Sequence, residues 1–345
     1  MKTSDFDFDL PQELVASSPS VVRGDDRLMQ LCIANQQISH HRFSDIVELL
    51  PRNALLVFND SKVRKARLMA TAMESGASVE MLLLHPIVSN RWVVLVSKAK
   101  RQKEGKRYQL PDGVTATIIS DAEGGDGTKI IEFFGLTESY IEKHGSMPLP
   151  PYMHRDASKL DDDRYQTIYA KHIGSAAAPT AGLHFTEEIV EKLTQKGIEH
   201  TFATLHVGMG TFAPVRAEII EEHKIHTESY SISAETAHMI NHAKAVGRPI
   251  IAVGTTTCRL LESAMKESQD GKIHSGSSMS SIFIYPGYEF RCIDGLITNF
   301  HTPKSTLLAL VSALAGYDLI RQSYQEAIKE CYRFFSYGDA MLILP

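Results

Sequence analysis

Short segments with alternating apolar and polar residues fill the chain between positions 65 and 135. This alternation, together with many β-branched residues, is typical of strands that bury one face. Turn signals, PDG at 111–113 and EGGDG at 123–127, stand between some of these segments. No helical pattern intervenes, so the segments predict a small antiparallel barrel. The predicted strands are SVEMLLLH, RWVVLVSK, VTATIIS and KIIEFF.

After the stiff, Pro-rich MPLPPYM at 147–153, apolar residues recur at helical spacing and the helical segments alternate with apolar strands. This alternation predicts an α/β fold with a mostly parallel sheet. The N-terminal segments FSDIVELLP and ALLVFND have the same character. We therefore expect a discontinuous α/β domain of residues 1–63 and 150–345, with an inserted small antiparallel β-barrel domain of residues 64–149. The helical segments are TEEIVEKLTQKG, ETAHMINHAKAVG, CRLLESAM and TLLALVSALAG, and the strands are TFATLHVG, PIIAVG and GLITNF.

The bulk composition is that of an ordinary globular protein, with 345 residues, 43% of them hydrophobic and 22% charged. The start is acidic and has no apolar leader, and the longest apolar run, 307–314, is too short to span a bilayer. The four cysteines lie far apart without a CxxC motif, which argues against a disulfide framework and a thiolate zinc site. A cytoplasmic location without membrane contact is the expectation.

The charge of the chain is distributed unevenly. The formal net charge is −5, but residues 62–107 contain eleven Lys and Arg against three Asp and Glu, a local net of +8. Two runs dominate, KVRKAR at 62–67 and KAKRQKEGKR at 98–107, and the second is predicted to be a projecting hairpin. Either the runs are solvated turns, or they bind a polyanion such as RNA. The candidate RNA-binding residues are Lys62, Arg64, Lys65, Lys98, Lys100, Arg101 and Lys103.

Polar loops follow four of the predicted strands: NDSK, GMGTF, GTTT and HTPKS. Each is a weak signal alone, because GMG is too short for a dinucleotide fingerprint and GTTT lacks the lysine of a phosphate loop. In α/β folds, however, ligands bind beyond the carboxyl ends of the strands. We therefore expect these loops to meet on one rim and form a site.

Histidines are concentrated in one region, with eight of the fifteen between positions 172 and 242. HKIH at 223–226 raises the alternative of a metal-dependent hydrolase, but HExxH is absent and no acidic residues stand at matching ligand spacing, so no metal is expected. One histidine, His184, lies in the uncharged segment AAAPTAGLHF. Near the C-terminus, CYRFFSYGDAMLIL is either a buried last strand after a turn at Gly338, or a place where Arg333 and Tyr337 stack on bases.

Seven long motifs occur in order along the chain: AAPTAGLHF, TLHVGMGTFAPVR, HTESY, IIAVGTTTCRLLES, IFIYPGYEF, LITNFHTPKSTLLALVSALAGY and YRFFSYGDAM. In this combination the chain resembles the S-adenosylmethionine:tRNA ribosyltransferase-isomerases. FDFDLPQELVASSP, LLVFNDSKV with ARL, MPLPPYM and RYQTIYA extend the resemblance to the whole chain, whereas the barrel corresponds only in its β pattern and basic character. Asp60-Ser61-Lys62 replaces a more usual Asn-Thr-Arg, and Thr257-Cys258 stands where Ser-Val is common.

The resemblance implies transfer and isomerisation of the ribosyl group of S-adenosylmethionine onto 7-aminomethyl-7-deazaguanine at the wobble position of tRNA. Epoxyqueuosine, adenine and methionine would be the products. S-adenosylmethionine is a consumed donor in this scheme, and no metal, further cofactor or obligate protein partner is implied; a monomer is expected. A tRNA-binding protein without catalysis is a second alternative, although four polar strand ends argue against it.

The chemistry requires a base to remove a C5′ proton beside the sulfonium. The candidates are His184, His206 and His301, and the residues alone leave the choice open. Asp339 is a fourth catalytic candidate, expected at the aminomethyl group, and Phe185 is expected to face the sulfonium or the adenine. The expected substrate-binding residues are Asn59, Thr180, Gly182, Phe185, Gly208, Gly210, Thr211, Glu228, Thr255, Thr256, Arg259, Asn299, Arg333 and Tyr337.

Overall fold

The structure is a computed structural model that describes residues 1–122, 127–208, 215, 217–223, 225 and 227–345. Its strands are β1 (Arg27–Cys32), β2 (Gln37–Arg42), β3 (Leu55–Asn59), β4 (Ser61–Val63), β5 (Arg67–Ala72), β6 (Ser78–Val88), β7 (Arg91–Val96), β8 (Arg107–Gln109), β9 (Thr115–Asp121), β10 (Thr128–Phe134), β11 (His172–Ser175), β12 (Glu199–Leu205), β13 (Glu228–Ile232), β14 (Ile250–Val253), β15 (Gly276–Ser280), β16 (Gly295–Asn299) and β17 (Ala340–Leu344).

The α-helices are α1 (Ile46–Leu49), α2 (Glu138–His144), α3 (Lys159–Arg164), α4 (Glu187–Gln195), α5 (Ala234–Ala245), α6 (Thr255–Glu267), α7 (Thr306–Ala315) and α8 (Tyr317–Lys329). Short 3-10 helices lie at Thr3–Phe6, Gln12–Leu14, Phe43–Asp45, Ala99–Arg101, Pro111–Gly113, Pro151–Met153, Thr180–His184 and Ile220–Glu222.

A large mixed sheet forms the centre of the α/β part, with the strand order β15-β13-β12-β3-β14-β16-β17-β1-β2. The four strands from β12 to β16 are parallel to one another, and β17 is parallel to β1. The pairs towards the edges, β15 with β13, β13 with β12 and β1 with β2, are antiparallel, as is β16 with β17. The predicted fold class, an α/β sheet with an additional antiparallel barrel, is confirmed.

Helices cover both faces of this sheet, and the alternation along β3 shows why. Leu55 and Val57 belong to the core formed with α5, α6, α7 and α8. Leu56 and Phe58 belong to the core on the other face, formed with α1 and α4. Because both faces of a central parallel strand are buried, its residues read as a continuous apolar run rather than as an alternating one.

The second unit is a closed barrel with the strand order β10-β7-β6-β5-β8-β9, in which every neighbouring pair is antiparallel. Tyr108, Trp92 and Phe133 fill its interior, and α2 packs against the same core. The chain leaves the large sheet after β3 and returns through β11, which pairs in parallel with β4. The strands predicted between 65 and 135 are confirmed, and the domain boundaries at 63/64 and 149/150 stay a prediction.

The basic run at 98–107 is not the hairpin that the sequence predicted. The 3-10 helix Ala99–Arg101 and a turn join β7 to β8, and these two strands are not neighbours in the barrel. β7 pairs with β6 and β10, whereas β8 pairs with β5 and β9. The run is a connection across the end of the barrel, because β7 and β8 are consecutive in the chain but not neighbours in the strand order.

Candidate functional site

A pocket opens at the carboxyl ends of β12, β3, β14 and β16, where the sequence places polar loops. Because these strands are parallel neighbours, their carboxyl ends meet at one edge of the sheet. Two of the four loops, GTTT and HTPKS, contribute described residues to the lining, and Val207 lines it directly before GMGTF. No residue of NDSK lines the pocket, so the expected convergence on one rim holds for two loops. The lining residues are Tyr152, Ala178, Pro179, Thr180, Ala181, Val207, Gly254, Thr255, Thr256, Thr298, Asn299, Phe300, His301, Thr302, Leu307, Phe335 and Ser336.

The amino terminus of α6 forms one side of this pocket. Gly254 has a φ of +94°, a left-handed conformation that glycine adopts without strain and that turns β14 directly into the helix. Thr255 and Thr256, which the sequence pattern places in a loop, form the first turn of α6 and line the pocket. The first N–H groups of a helix have no partner within the helix, and the helix dipole favours an anionic group there.

A buried chain of hydrogen bonds lies behind the part of the wall that contains Thr180 and Asn299. The Nδ1 of His184 is 2.7 Å from Oδ2 of Asp26, and its Nε2 is 2.9 Å from Nδ2 of Asn299. Oδ1 of Asn299 in turn accepts a 2.8 Å hydrogen bond from the hydroxyl of Thr180. Asn299 and Thr180 line the pocket, but His184, only 2% exposed, does not. His184 therefore acts on the pocket through Asn299.

His301 is the histidine among the three base candidates that lines the pocket directly. Burial lowers the pKa of its imidazole to about 3, so the ring is neutral at neutral pH. Its Nε2 lies 3.0 Å from the hydroxyl of Thr298. Burial also raises the pKa of Tyr152 to about 12, so this lining phenol is neutral as well. The described lining contains no Asp, Glu, Lys or Arg, and the pocket therefore has no formal charge from these side chains.

Beside the pocket, Glu228 and Arg259 form a buried ion pair with 2.6 Å between Oε2 and the guanidinium. The other carboxylate oxygen of Glu228 accepts the backbone N–H of Gly208 at 2.9 Å. Glu228 and Arg259, both expected substrate contacts, thus anchor the start of the segment that follows β12. Gly210 and Thr211, expected in the same loop, lie outside the described residues.

Comparison with known proteins identifies the family of this chain. A sequence profile described as "Queuosine biosynthesis protein" matches residues 3–343. The chain belongs to this family. Two curated relatives are named S-adenosylmethionine:tRNA ribosyltransferase-isomerase: one from Treponema denticola is 51% identical over all of both chains, and one from Clostridioides difficile is 49% identical over 99% of this chain and all of that protein. A crystal structure of S-adenosylmethionine tRNA ribosyltransferase from Thermotoga maritima is 36% identical, with a TM-score of 0.56, over 99% of this chain and 100% of that one.

Several residues expected to contact substrate in this queuosine biosynthesis family member are packing residues instead. Phe185 is fully buried between Phe43 and Phe58, with both ring centroids 5.0 Å away. The expectation that it faces the substrate is therefore wrong. A Cβ at Gly182 would lie 2.1 Å from the hydroxyl of Tyr169, so this glycine allows close packing. Neither position lines the pocket, because the 3-10 helix Thr180–His184 directs only its first turn towards the rim.

Asn59 lies beneath the pocket rather than in its wall. Its Oδ1 accepts the backbone N–H groups of Ser61 and Leu205, and its Nδ2 donates to the carbonyl of Leu205. It also lies 3.4 Å from the hydroxyl of Thr256. The buried amide therefore ties the ends of β3 and β12 together and supports the α6 turn.

His206 follows β12 and does not line the pocket. A Cβ at Gly174 would lie 2.6 Å from its Nδ1, which has no hydrogen-bond partner among the described residues. Burial lowers the pKa of His206, with Arg64 and His172 acting in the same direction. Of the three histidines, the structure thus brings only His301 to the pocket surface.

The C-terminal candidates are held in a loop behind the site. Asp339 accepts backbone hydrogen bonds from Arg27 at 2.8 Å and from Arg333 at 2.7 Å, and it is 3% exposed. The guanidinium of Arg333 donates to the carbonyl of Ser18, and the hydroxyl of Tyr337 donates to Asp161 at 2.8 Å. The expected contact of Asp339 with an aminomethyl group does not fit this arrangement, because the carboxylate is buried and does not line the pocket. The predicted buried last strand, β17, is confirmed.

The two basic runs differ in how their charges are compensated. The guanidinium of Arg64 pairs with Glu138 at 2.8 Å and lies 5.0 Å from the ring of Trp92. Lys65 lies 3.0 Å from both Glu142 and Asp162. These cations connect the segment between β4 and β5 to α2 and α3. The remaining candidates have no ion pair with a described residue: Lys62, Lys98, Lys100, Arg101 and Lys103.

Asp26, Tyr152 and Thr298 are among the residues of the site that sequence reasoning missed. Asp26 lies 158 positions from His184, and no spacing signal connects them. Tyr152 belongs to MPLPPYM, whose prolines indicate only a stiff segment. In the described part of the chain, no cluster of three or more His, Cys, Asp or Glu is arranged to hold a metal ion, and no helix combines the length and apolar character needed to cross a bilayer.

Proposed function

We propose that this chain is an S-adenosylmethionine:tRNA ribosyltransferase-isomerase that acts on 7-aminomethyl-7-deazaguanine at the wobble position of tRNA. The ribosyl group becomes the epoxycyclopentane of epoxyqueuosine, and adenine and methionine are released. The observation that carries the proposal is the uncharged polar pocket at the parallel strand ends of a queuosine biosynthesis family member.

The lining suits a sulfonium substrate. A pocket without lysine or arginine does not repel a cationic sulfur, and five threonines and an asparagine offer polar contacts to its ribose and base. The N–H groups at the start of α6 suit a carboxylate such as that of the methionine part. These features support binding of S-adenosylmethionine with its carboxylate at Thr255 and Thr256.

The reaction starts when a C5′ proton, acidified by the sulfonium, is removed. His301 is our candidate for this proton, because it is the one of the three histidines that lines the pocket, whereas His184 acts from behind Asn299. Adenine loss, attack of the substrate amine at C1′ and epoxide closure with loss of methionine follow. A positioned base contributes roughly 100- to 10,000-fold to such a rate. The scheme uses no metal and no further cofactor, because the sulfonium itself activates the carbon.

The tRNA is expected to bind through the cations that have no ion pair with a described residue. Lys98, Lys100, Arg101 and Lys103 lie on the link between β7 and β8, and Lys62 lies in β4. Contacts between such cations and phosphates position a nucleic acid without reading its sequence. The anticodon stem–loop is therefore proposed to lie against the end of the barrel, with its wobble base in the pocket.

The test is an assay for adenine release from S-adenosylmethionine in the presence of tRNA carrying the aminomethyl base. Adenine and methionine in equal amounts, together with a modified nucleoside, are expected. The control is the same tRNA with plain guanine at the wobble position, which should give background only. Absence of adenine above background overturns the proposal, and stoichiometric zinc whose removal abolishes activity favours a metal hydrolase instead.

A further inference from the structure

We propose that Asp26 is a positioning residue that determines which group of the pocket wall accepts a hydrogen bond from the substrate. It acts through His184 and Asn299, so that the hydroxyl oxygen of Thr180 is presented to the substrate as an acceptor. The inference rests on the proposed function only in naming S-adenosylmethionine as the molecule whose hydrogen-bond donor meets this oxygen.

The chain begins at a group that accepts hydrogen bonds. Burial would raise the pKa of Asp26, but the hydrogen bond from the His184 ring and the charge of Arg333 act to hold it below the ordinary value, so the carboxyl group is ionised. An ionised carboxylate has no proton to donate. The 2.7 Å contact with His184 therefore requires a hydrogen on Nδ1 of the imidazole.

The second step determines the form of the imidazole. Asn299 turns its NH₂ group towards Nε2 of His184, at 2.9 Å. A hydrogen on Nε2 would oppose the amide hydrogens, so this contact selects the neutral ring with Nε2 as acceptor. Because Asp26 can only accept a hydrogen bond, Nδ1 of His184 donates, Nε2 accepts, and the amide of Asn299 donates to Nε2.

The third step brings the polarity to the pocket. Because the NH₂ of Asn299 faces His184, its Oδ1 faces Thr180 and accepts the hydroxyl hydrogen at 2.8 Å. The hydrogen of Thr180 is thus engaged in the wall, and the oxygen keeps its lone pairs for the pocket that the residue lines. A reversed chain would instead present a donor at this position.

Packing holds the chain in place. The ring of His184 lies on that of Phe43, with centroids 5.0 Å apart, and the carbonyl of Asp26 accepts the backbone N–H of Phe43 at 2.9 Å. Gly24 has a φ of +88°, and a Cβ there would lie 3.4 Å from the carbonyl oxygen of His184. The loop carrying Asp26 is therefore fitted closely to the 3-10 helix that carries His184.

The first test is a measurement on the wild-type protein. The ¹⁵N shifts of the His184 ring at neutral pH should show the neutral tautomer with hydrogen on Nδ1. An imidazolium, or a tautomer with hydrogen on Nε2, overturns the inference. This result does not depend on any activity, so it separates the inference from the proposed function, which fails if wild-type protein does not bind S-adenosylmethionine.

The second test is a double-mutant cycle with Asp26→Asn and Thr180→Val. Each single change should raise the KM for S-adenosylmethionine about tenfold, the value of one neutral hydrogen bond, and leave the KM for tRNA unchanged. The double variant should be no worse than Thr180→Val alone, because both changes remove the same acceptor. Fully additive losses overturn the inference, as does an unchanged KM in folded Asp26→Asn.

The matched control is Asp25→Asn. This neighbouring carboxylate is 68% exposed and lies 3.6 Å from the exposed guanidinium of Arg42. It should leave the KM for S-adenosylmethionine and the His184 ring shifts at their wild-type values. If Asp26→Asn does not fold, Asn299→Asp provides the replacement: it places an acceptor against Nε2 of His184 and should convert the ring to the imidazolium. An unchanged tautomer in that variant contradicts the proposed chain.

Discussion

The hydroxyl oxygen of Tyr152 accepts a 3.0 Å hydrogen bond from the backbone N–H of Ser336, 184 positions further along the chain. The tyrosine follows the barrel in the Pro-rich segment, and the serine precedes the last strand. Phe335 directly precedes Ser336, and its φ of +74° is a left-handed conformation unusual for a bulky residue. All three residues line the pocket, so its wall depends on this contact.

Tyr152→Phe should weaken this wall. The change leaves the N–H of Ser336 without its acceptor, which costs about 1–3 kcal/mol when the group is buried. We expect a lower free energy of unfolding in urea and a raised KM for S-adenosylmethionine. Tyr285→Phe is the control, because the hydroxyl of Tyr285 has no hydrogen bond to a described residue. Equal behaviour of the two variants would contradict the role of Tyr152.

Asp339→Asn should affect stability rather than selection of the base. The carboxylate of Asp339 accepts two backbone N–H groups, and an amide would turn an NH₂ towards one of them. A loss of about 1–3 kcal/mol in the free energy of unfolding is expected. Discrimination between tRNA with the aminomethyl base and tRNA with guanine should stay at the wild-type ratio. A changed ratio with normal stability would show that Asp339 contacts the substrate. The control is Asp9→Asn at an exposed carboxylate.

The free energy of unfolding should decrease as the pH is lowered, because of His301. Its pKa is lowered from 6.5 to about 3 in the folded protein, so between these values only the unfolded chain binds the proton. Stability is therefore lost as the pH falls through this window, by about 1.4 kcal/mol per unit for one proton. His301→Gln should flatten the slope measured by urea unfolding and should also reduce turnover. The control is His238→Gln at an exposed histidine, which should leave the slope unchanged. A slope that stays steep in His301→Gln would exclude His301 as its cause.

Breaking the Glu228–Arg259 pair should be costly. Both side chains are buried, and removal of one partner from a buried pair costs about 3–5 kcal/mol because the other charge stays uncompensated. Arg259→Ala should show this loss in urea unfolding. Lys192→Ala removes an exposed pair within α4 and should cost well under about 1 kcal/mol. Similar losses of unfolding free energy in both variants would show that burial does not increase the contribution of the Glu228–Arg259 pair to stability.

Charge reversal at Lys100, Arg101 and Lys103 to Glu should raise the KM for tRNA strongly. These cations have no described ion pair, and phosphate binding by cations releases counterions, so the salt dependence of tRNA binding should become shallower. The KM for S-adenosylmethionine should stay near the wild-type value. The control is reversal of three exposed lysines elsewhere, Lys266, Lys272 and Lys329. An equal loss for tRNA in both triple variants would mean that only net charge matters.

Much of the fold follows from local pattern. The alternation of apolar residues predicted four strands of the barrel, and the alternation of strands and helices predicted the parallel centre of the sheet. Because parallel strands end at the same edge, the polar loops that begin at Gly254 and His301 converge on one pocket, as the sequence indicates for these two of the four loops. The uncharged character of AAAPTAGLHF likewise predicted the neutral wall that Thr180 helps to form.

Roles that depend on a partner far along the chain were decided by the tertiary structure. Arg64 looks like a phosphate ligand until Glu138 is seen beside it, and His184 looks like a base until Asp26 and Asn299 are seen on its two nitrogens. The physical reason is that periodicity encodes which face of a segment is buried, within a few residues. The direction of a hydrogen bond or the compensation of a charge depends on atoms brought together from distant segments, and no local spacing records them.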